Sequence, residues 1–299
     1  MRTKILLLLF IGLLMSSLFV ANVFAQEQDK QITPDKPVVQ EQPRVIEETL
    51  VLSDPTVAQP GKWLIGLSAE YWYVSQNWDR YFADGGKYSW GSISGSMPGG
   101  TITLGYDNFT VAYSYRSGSW DGESTISGRA NSAGFETNST LKEDQTEHEI
   151  TARWLFKVSP HFNPYAMVGY SYMTKEDKET IKTAGVVWTN NNNSNVLTSK
   201  YTFQSPLIGV GAIVPFNQYF GMRIDGRLLG TFADLTKSNG YTANGVGAGA
   251  AAVGTFYWNI WQGLNMQVGG KFQYMYGGTE IGGFYKYGAF GMLGYTFKF

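Results

Sequence analysis

The sequence predicts an all-β fold: a closed antiparallel transmembrane β-barrel of about ten strands, with eight or twelve as the alternatives. Three observations carry that expectation. From Lys62 onward, apolar and polar residues alternate in ten stretches, the pattern of half-buried strands. The segments between them are alternately long and short, as external loops and periplasmic turns are in membrane barrels. The apolar faces end in aromatic residues on both sides, where amphipathic rings suit the headgroup layer.

Composition narrows the classes first. The chain has 299 residues, 36 Gly, 19 Tyr and no Cys. Without cysteine there is no disulfide scaffold, thiolate metal site, Cys nucleophile or lipid-modified N-terminal Cys. Charged residues make up 16%, below the roughly 25% of soluble domains. The 23 basic and 24 acidic residues form no basic cluster, so no nucleic-acid partner is expected.

The N-terminus reads as a targeting signal. Met1 to Lys4 is a short positive region, Ile5 to Val20 is almost wholly apolar, and Val23-Phe24-Ala25 precedes polar Gln26. That is the pattern of a secretory signal cleaved after Ala25. No later stretch supplies the roughly 18 apolar residues of a membrane helix. Residues 26–61 hold five of the ten prolines and seven acids against three bases. Such a segment buries too little apolar surface to offset ordering entropy. It is expected to be a disordered acidic periplasmic leader, with a plug or docking peptide as the sharper alternative. The barrel itself occupies 62–299.

The strand faces follow in order. The first runs Trp63, Ile65, Leu67, Ala69, Tyr71, Tyr73; the second Ile102, Leu104, Tyr106. Asp107-Asn108 is a tight turn into the third, Phe109, Val111, Tyr113, Tyr115. The fourth runs Ile150 to Val158, the fifth Ala166 to Tyr172, the sixth Pro206 to Val214 and the seventh Phe220 to Leu228. The eighth runs Ala250 to Trp258, the ninth Leu264 to Tyr276 and the tenth Tyr285 to Phe299, every second residue in each. None of these 52 positions is charged. The opposite faces carry Glu70, Arg116, Glu149, Arg153, Lys157, Arg223, Asp225, Arg227 and Lys271.

A soluble barrel would turn the apolar face inward and a membrane barrel would turn it to lipid. The long gaps (75–95, 117–145, 175–198, 231–246, 277–284), the short ones (107–108, 159–163, 215–218, 259–263) and the aromatic ends favour the membrane orientation. A sheet in hydrocarbon must close, because an open edge leaves backbone groups unpaired.

With these features together, residues 62–299 resemble the bacterial outer-membrane β-barrel superfamily. The chain ends Gly294-Tyr295-Thr296-Phe297-Lys298-Phe299, similar to that superfamily's C-terminal β-signal, with Gly294, Phe297 and Phe299 at the motif positions. Met292 stands where the family usually has a polar residue. The resemblance implies residence in the cell outer membrane, contact with its lipid and lipopolysaccharide, and handling by the barrel-assembly machinery.

Motifs for chemistry are few. The histidines are His148 and His161. By parity His148 faces the membrane, and His161 lies in the turn Ser159-Pro160-His161-Phe162-Asn163. Omptin surface proteases share the ten-strand count, but they place an Asp pair and an Asp–His pair on facing rims. Here there is no Asp-x-Asp, and His148 has no adjacent Asp. Lipid A deacylase barrels use a His-x-Ser element, also absent. Gly247 to Ala252 spells a dinucleotide-type string, but without the strand–helix context that mechanism needs. Neither a cofactor nor a metal is implied. In the first long gap, Trp78, Tyr81, Phe82 and Trp90 are candidates for ligand binding by an exposed loop, or for a loop folded inward.

The interior charges Glu70, Arg116, Glu149, Arg153, Arg223, Asp225, Arg227 and Lys271 lean positive. A narrow lumen of that sign favours small anions; a salt-bridged structural core is the plainer alternative. The leading functional expectation is a porin-like narrow channel or structural barrel, passing at most a small anionic solute. An adhesin or receptor acting through its loops is the second class, and an outer-membrane hydrolase the third.

Overall fold

Ten antiparallel strands close on themselves in the computed structural model, which describes residues 54–58, 60–81, 87–130, 133–156, 159, 161–181 and 196–299. The strands are β1 (Trp63–Tyr81), β2 (Lys87–Tyr106), β3 (Phe109–Ala130), β4 (Ala133–Leu155), β5 (Asn163–Ile181), β6 (Val196–Pro215), β7 (Phe220–Lys237), β8 (Thr242–Trp261), β9 (Leu264–Tyr276) and β10 (Gly283–Lys298). Each pairs with its chain neighbours, and β1 closes the cylinder against β10 from Leu64↔Lys298 to Asp79↔Gly283. The expected signal, residues 1–25, and most of the leader lie outside the described residues.

Ten strands and their order match the sequence expectation, and so does orientation. The apolar faces point outward: Val168 is 57% exposed and Leu293 55%. Asp107 sits at φ 52° in the two-residue turn between β2 and β3, the positive φ that tight hairpins demand and that Asp tolerates. Trp63 packs on Tyr106 at 4.7 Å and Phe220 on Trp258 at 4.8 Å, forming part of the aromatic ring at the short-turn end.

The long gaps are a correction. In 75–95, 117–145 and 231–246 most of the length is strand: β1 and β2 run to Tyr81 and from Lys87, β3 and β4 to Ala130 and from Ala133, and β7 and β8 to Lys237 and from Thr242. A bilayer crossing takes about 9–11 tilted residues, whereas β4 has 23. The sheet therefore continues well past the lipid on the long-loop side. The cause lies in the residues beyond Tyr115, His148 and Tyr172. There the outward positions become polar (Asp144, Thr146, Glu176, Lys178, Lys200), and large apolar side chains (Trp120, Leu141, Tyr201, Phe203) turn inward and are buried. Both barrel orientations weighed from the sequence thus occur in one cylinder: apolar-out through the lipid, apolar-in above it.

Candidate functional site: the filled lumen

The inward side chains form a charged layer beside and beneath apolar ones. One apolar cluster begins at the short-turn end with Val57, Leu155, Tyr165, Ile213 and Tyr257, and continues through Met167, Leu207 and Leu229 on β5, β6 and β7. A second fills the lumen on the long-loop side with Trp72, Trp78, Met97, Trp120, Phe203 and Phe284, among others. Between the bilayer-level turns and this second cluster sit the charges foreseen from the sequence. All eight line one cavity of about 90 Å³: Glu70, Arg116, Glu149, Arg153, Arg223, Asp225, Arg227 and Lys271.

Period-two spacing puts Arg223, Asp225 and Arg227 on one inward face of β7. Arg227 Nε donates to Asp225 at 2.5 Å, and its Nη1 to Glu149 at 2.9 Å. Arg116 Nε donates to Glu70 at 2.9 Å. Tyr165 donates its hydroxyl to Asp225 at 3.2 Å. Charges in so enclosed a space persist only when paired and hydrogen-bonded, and this cross-barrel lattice provides most of that pairing.

The leader corrects a second expectation. Its last residues are ordered and enter the short-turn mouth: Asp54, Val57 and Ala58 are buried. Pro55 restricts the residue before it to extended conformations. Asp54 then caps its own turn, accepting from the Thr56 amide and hydroxyl, both at 2.7 Å. Arg223 Nη1 donates to both Asp54 oxygens at 3.1 and 2.9 Å and to the Thr56 hydroxyl at 2.7 Å. Arg153 Nη1 donates to the same hydroxyl at 3.2 Å. Thr296 donates to the Pro55 carbonyl at 3.1 Å and Lys298 to the Asp54 carbonyl at 3.3 Å. Burial by itself raises the Asp54 carboxyl. Arg223, then Arg153, and the two bonds from Thr56 outweigh it and hold the carboxyl below its usual value. Composition left a plug as the alternative but hid its anchor, because one Asp in an acidic, Pro-rich run carries no signal of its partner 169 residues away.

Trp78 is a third correction. It lies on β1 rather than in a loop, is 1% exposed, and stacks on Phe284 at 5.0 Å and 14°. It cannot bind an external ligand, because it is part of the upper core. Phe82 and the side chains of Tyr81 and Trp90 lie outside the described residues.

The upper layer also holds charges that the sequence reading did not assign to the lumen. Lys175 pairs with Glu143 at 2.9 Å and lies 4.2 Å from the Trp78 ring centre, a cation–π contact. Lys286 pairs with Glu147. Asp177 and Glu179 are buried there too. Among the described residues, the inward cations are Arg116, Arg153, Lys175, Arg223, Arg227, Lys271, Lys286 and, at the short-turn mouth, Lys298. The inward acids are Asp54, Glu70, Glu143, Glu147, Glu149, Asp177, Glu179 and Asp225. The positive excess belongs to the central layer alone; the plug reduces it and the upper layer offsets it.

The remaining sequence candidates have settled places. His148 faces outward, accepts or donates at Nδ1 with the Tyr113 hydroxyl at 2.8 Å, and packs on Tyr115 at 5.1 Å within the outer aromatic ring. His161 is exposed in the turn before β5. Gly247 to Ala252 lie on β8. Gly294 is buried, pairing with Ser68 and Asn265, while Phe297 and Phe299 face outward and are exposed.

With that geometry in view, the similarity to solved structures is clear. The outer membrane protease OmpT from Escherichia coli matches with a TM-score of 0.58 over 80% of this chain and 97% of its own, at 12% identity. The chain has the fold of an outer-membrane β-barrel. The outer membrane protein OprG from Pseudomonas aeruginosa (10% identity, 82% of this chain, 98% of its own) and a FadL homologue from the same organism (9%, 84% and 94%) match with TM-scores of 0.36 and 0.33. No protein-family model matches the chain, nor does any curated protein sequence. At 12% identity the first likeness extends to architecture and stops short of chemistry.

Proposed function

We propose that this chain resides in the outer membrane as a filled, non-conducting and non-catalytic barrel, structural in its lipid-embedded half and available for binding on its external wall. One observation carries the first part. Trp72, Trp78, Met97, Phe203 and Phe284 are all at most 1% exposed across the lumen above the charged layer. Eight strands leave an interior just filled by side chains, and ten strands with residues this large reach the same end. Side chains packed this closely fill the cross-section, and the buried charges among them are already paired with one another, so no continuous water-filled path remains for an ion.

Planar-bilayer recording of the folded protein tests this. No discrete conductance steps are expected at either polarity. Reproducible steps from the wild-type barrel would overturn the sealed reading and restore the narrow anion channel, which should then reverse on the anion side of a salt gradient.

The binding reading rests on the wall beyond the lipid, where Asp144, Thr146, Glu176, Lys178 and Lys200 face outward. Glu176 bridges Lys178 and Lys200, each at 3.2 Å. This polar belt stands next to the outer aromatic ring, at the level of lipopolysaccharide headgroups and sugars. Hydrolysis is disfavoured by His148, which sits among Tyr113, Tyr115 and Tyr172 on the lipid side. His148→Ala is expected to leave any surface activity unchanged. Recognition of Gly294, Phe297 and Phe299 by the assembly machinery belongs to the same proposal; Phe299→Ala should lower the yield of inserted barrel.

A further inference from the structure

The central cavity contains more positive charge than its carboxylates neutralise. Glu70 is taken by Arg116, Asp225 and Glu149 by Arg227, and Asp54 of the plug by Arg223. Two cations of the lining are left with weak partners. Lys271 comes no closer than 3.9 Å to Glu149. Arg153 donates to the neutral Thr56 hydroxyl and makes no carboxylate bond among the described residues. On Arg116, Nη1 is buried and has no acceptor. Five cations thus face three lining acids and the carboxylate of the plug.

Space is available for a counter-ion. The cavity measures about 90 Å³, against the roughly 10–15 Å³ that one water requires on the same measure. A buried cation without a counter-charge is strongly disfavoured unless it sheds its proton or gains a counter-ion, and a guanidinium such as Arg153 cannot shed its proton. The size and sign of the ligand follow from the lining. One excess positive charge calls for one negative charge. The carboxylates of Glu70 and Glu149 in the same wall repel a multivalent anion, and Phe290 and Met292 limit its bulk.

We propose that the cavity binds one small monovalent inorganic anion, of the halide or nitrate class, held by the unmatched charge of Arg153 and Lys271 with Arg116 Nη1 as an additional donor. Thr56 closes the site toward the leader. This goes beyond the sealed-barrel reading and does not depend on it, because a resident anion neutralises the core whether or not ions pass through.

Crystals of the folded protein with its leader, transferred to sodium bromide and measured at the bromine absorption edge, test the site directly. A single anomalous peak inside the cavity, against a nitrogen of Arg153 or Lys271, is the expected result. A cavity holding only water under excess bromide would overturn the proposal. In solution, bromide should raise the unfolding temperature saturably relative to gluconate, which is too large to enter, at equal ionic strength. Arg153→Gln and Lys271→Met should each abolish that bromide-specific rise, and Lys200→Gln on the outer wall should retain it. An undiminished rise in both cavity variants, with folding verified by heat-modifiable gel migration, would also overturn it. If those variants do not fold, the wild-type diffraction result decides alone.

Discussion

Replacing Asp54 with alanine should unseat the plug while leaving the barrel intact. The plug is held by charge at Asp54–Arg223, by the Thr56 hydroxyl and by burial of Val57 and Ala58. Removing one partner of a buried ion pair costs about 3–5 kcal/mol. The lower end applies here, because release of the segment lets water reach Arg223. About 3 kcal/mol corresponds to roughly 150-fold in the seated-to-released equilibrium. The chain has no cysteine, so Val57→Cys introduces a unique, nearly isosteric thiol at a buried position. Its alkylation by a membrane-impermeant maleimide reports release, since reaction tracks the open population when opening is fast. Adding Asp54→Ala to the Val57→Cys background should speed labelling by about 100-fold. An unchanged rate would refute the claim that this ion pair seats the plug.

Acidity should produce the same release. The Asp54 carboxyl is held below its usual value by Arg223 and Arg153, so its stabilisation is fully present above the ordinary carboxylate range. It is lost only as pH falls through the lowered value. Labelling of Val57→Cys, corrected for thiolate fraction, should stay flat from pH 8 to about 5 and rise only below about 4; Asp54→Asn should remove the rise. In the upper layer, Lys175→Met leaves Glu143 buried without its cation. It should destabilise the barrel by about 3–5 kcal/mol, read as a lower urea midpoint for refolding into detergent. Nitroxides at Val168 and Leu293 should be accessible to oxygen and protected from a water-soluble nickel chelate in bilayers. The reverse would invert the barrel and remove the basis of every functional statement above.

What the sequence revealed and what it concealed divide at the lipid boundary. Through the bilayer, each strand must present an uncharged face to hydrocarbon, and Leu67, Val111, Val168 and Leu293 obey that rule without exception. Solvent enforces the period, so the faces and the ten strands were legible. Above Tyr115 and Tyr172 the outer solvent is water, and the alternation reverses. Asp144 and Lys178 then look like loop residues, although they lie on β4 and β5. The same reversal hid Trp78, which lies inward on β1 where an apolar residue amid Asp79 and Arg80 reads as a loop anchor. Parity assigns Glu70, Arg116 and Arg223 to the inner side because strand period fixes side, and all three side chains are buried. Their partners were not legible, because Arg223↔Asp54 and Arg227↔Glu149 join distant segments whose meeting depends on barrel closure.

The latch formed by residues 54–58 also carries information about chronology. Its anchors come from β4 (Arg153), β7 (Arg223) and the final strand (Thr296, Lys298). Phe299 and Trp63 exchange two backbone bonds at the seam, at 2.8 and 3.0 Å. The four anchors surround the segment together only when the last strand is paired with the first, so complete docking requires a closed cylinder. A protected residue 57 therefore marks a finished molecule, and an accessible one marks a barrel still under construction or one whose seam has parted.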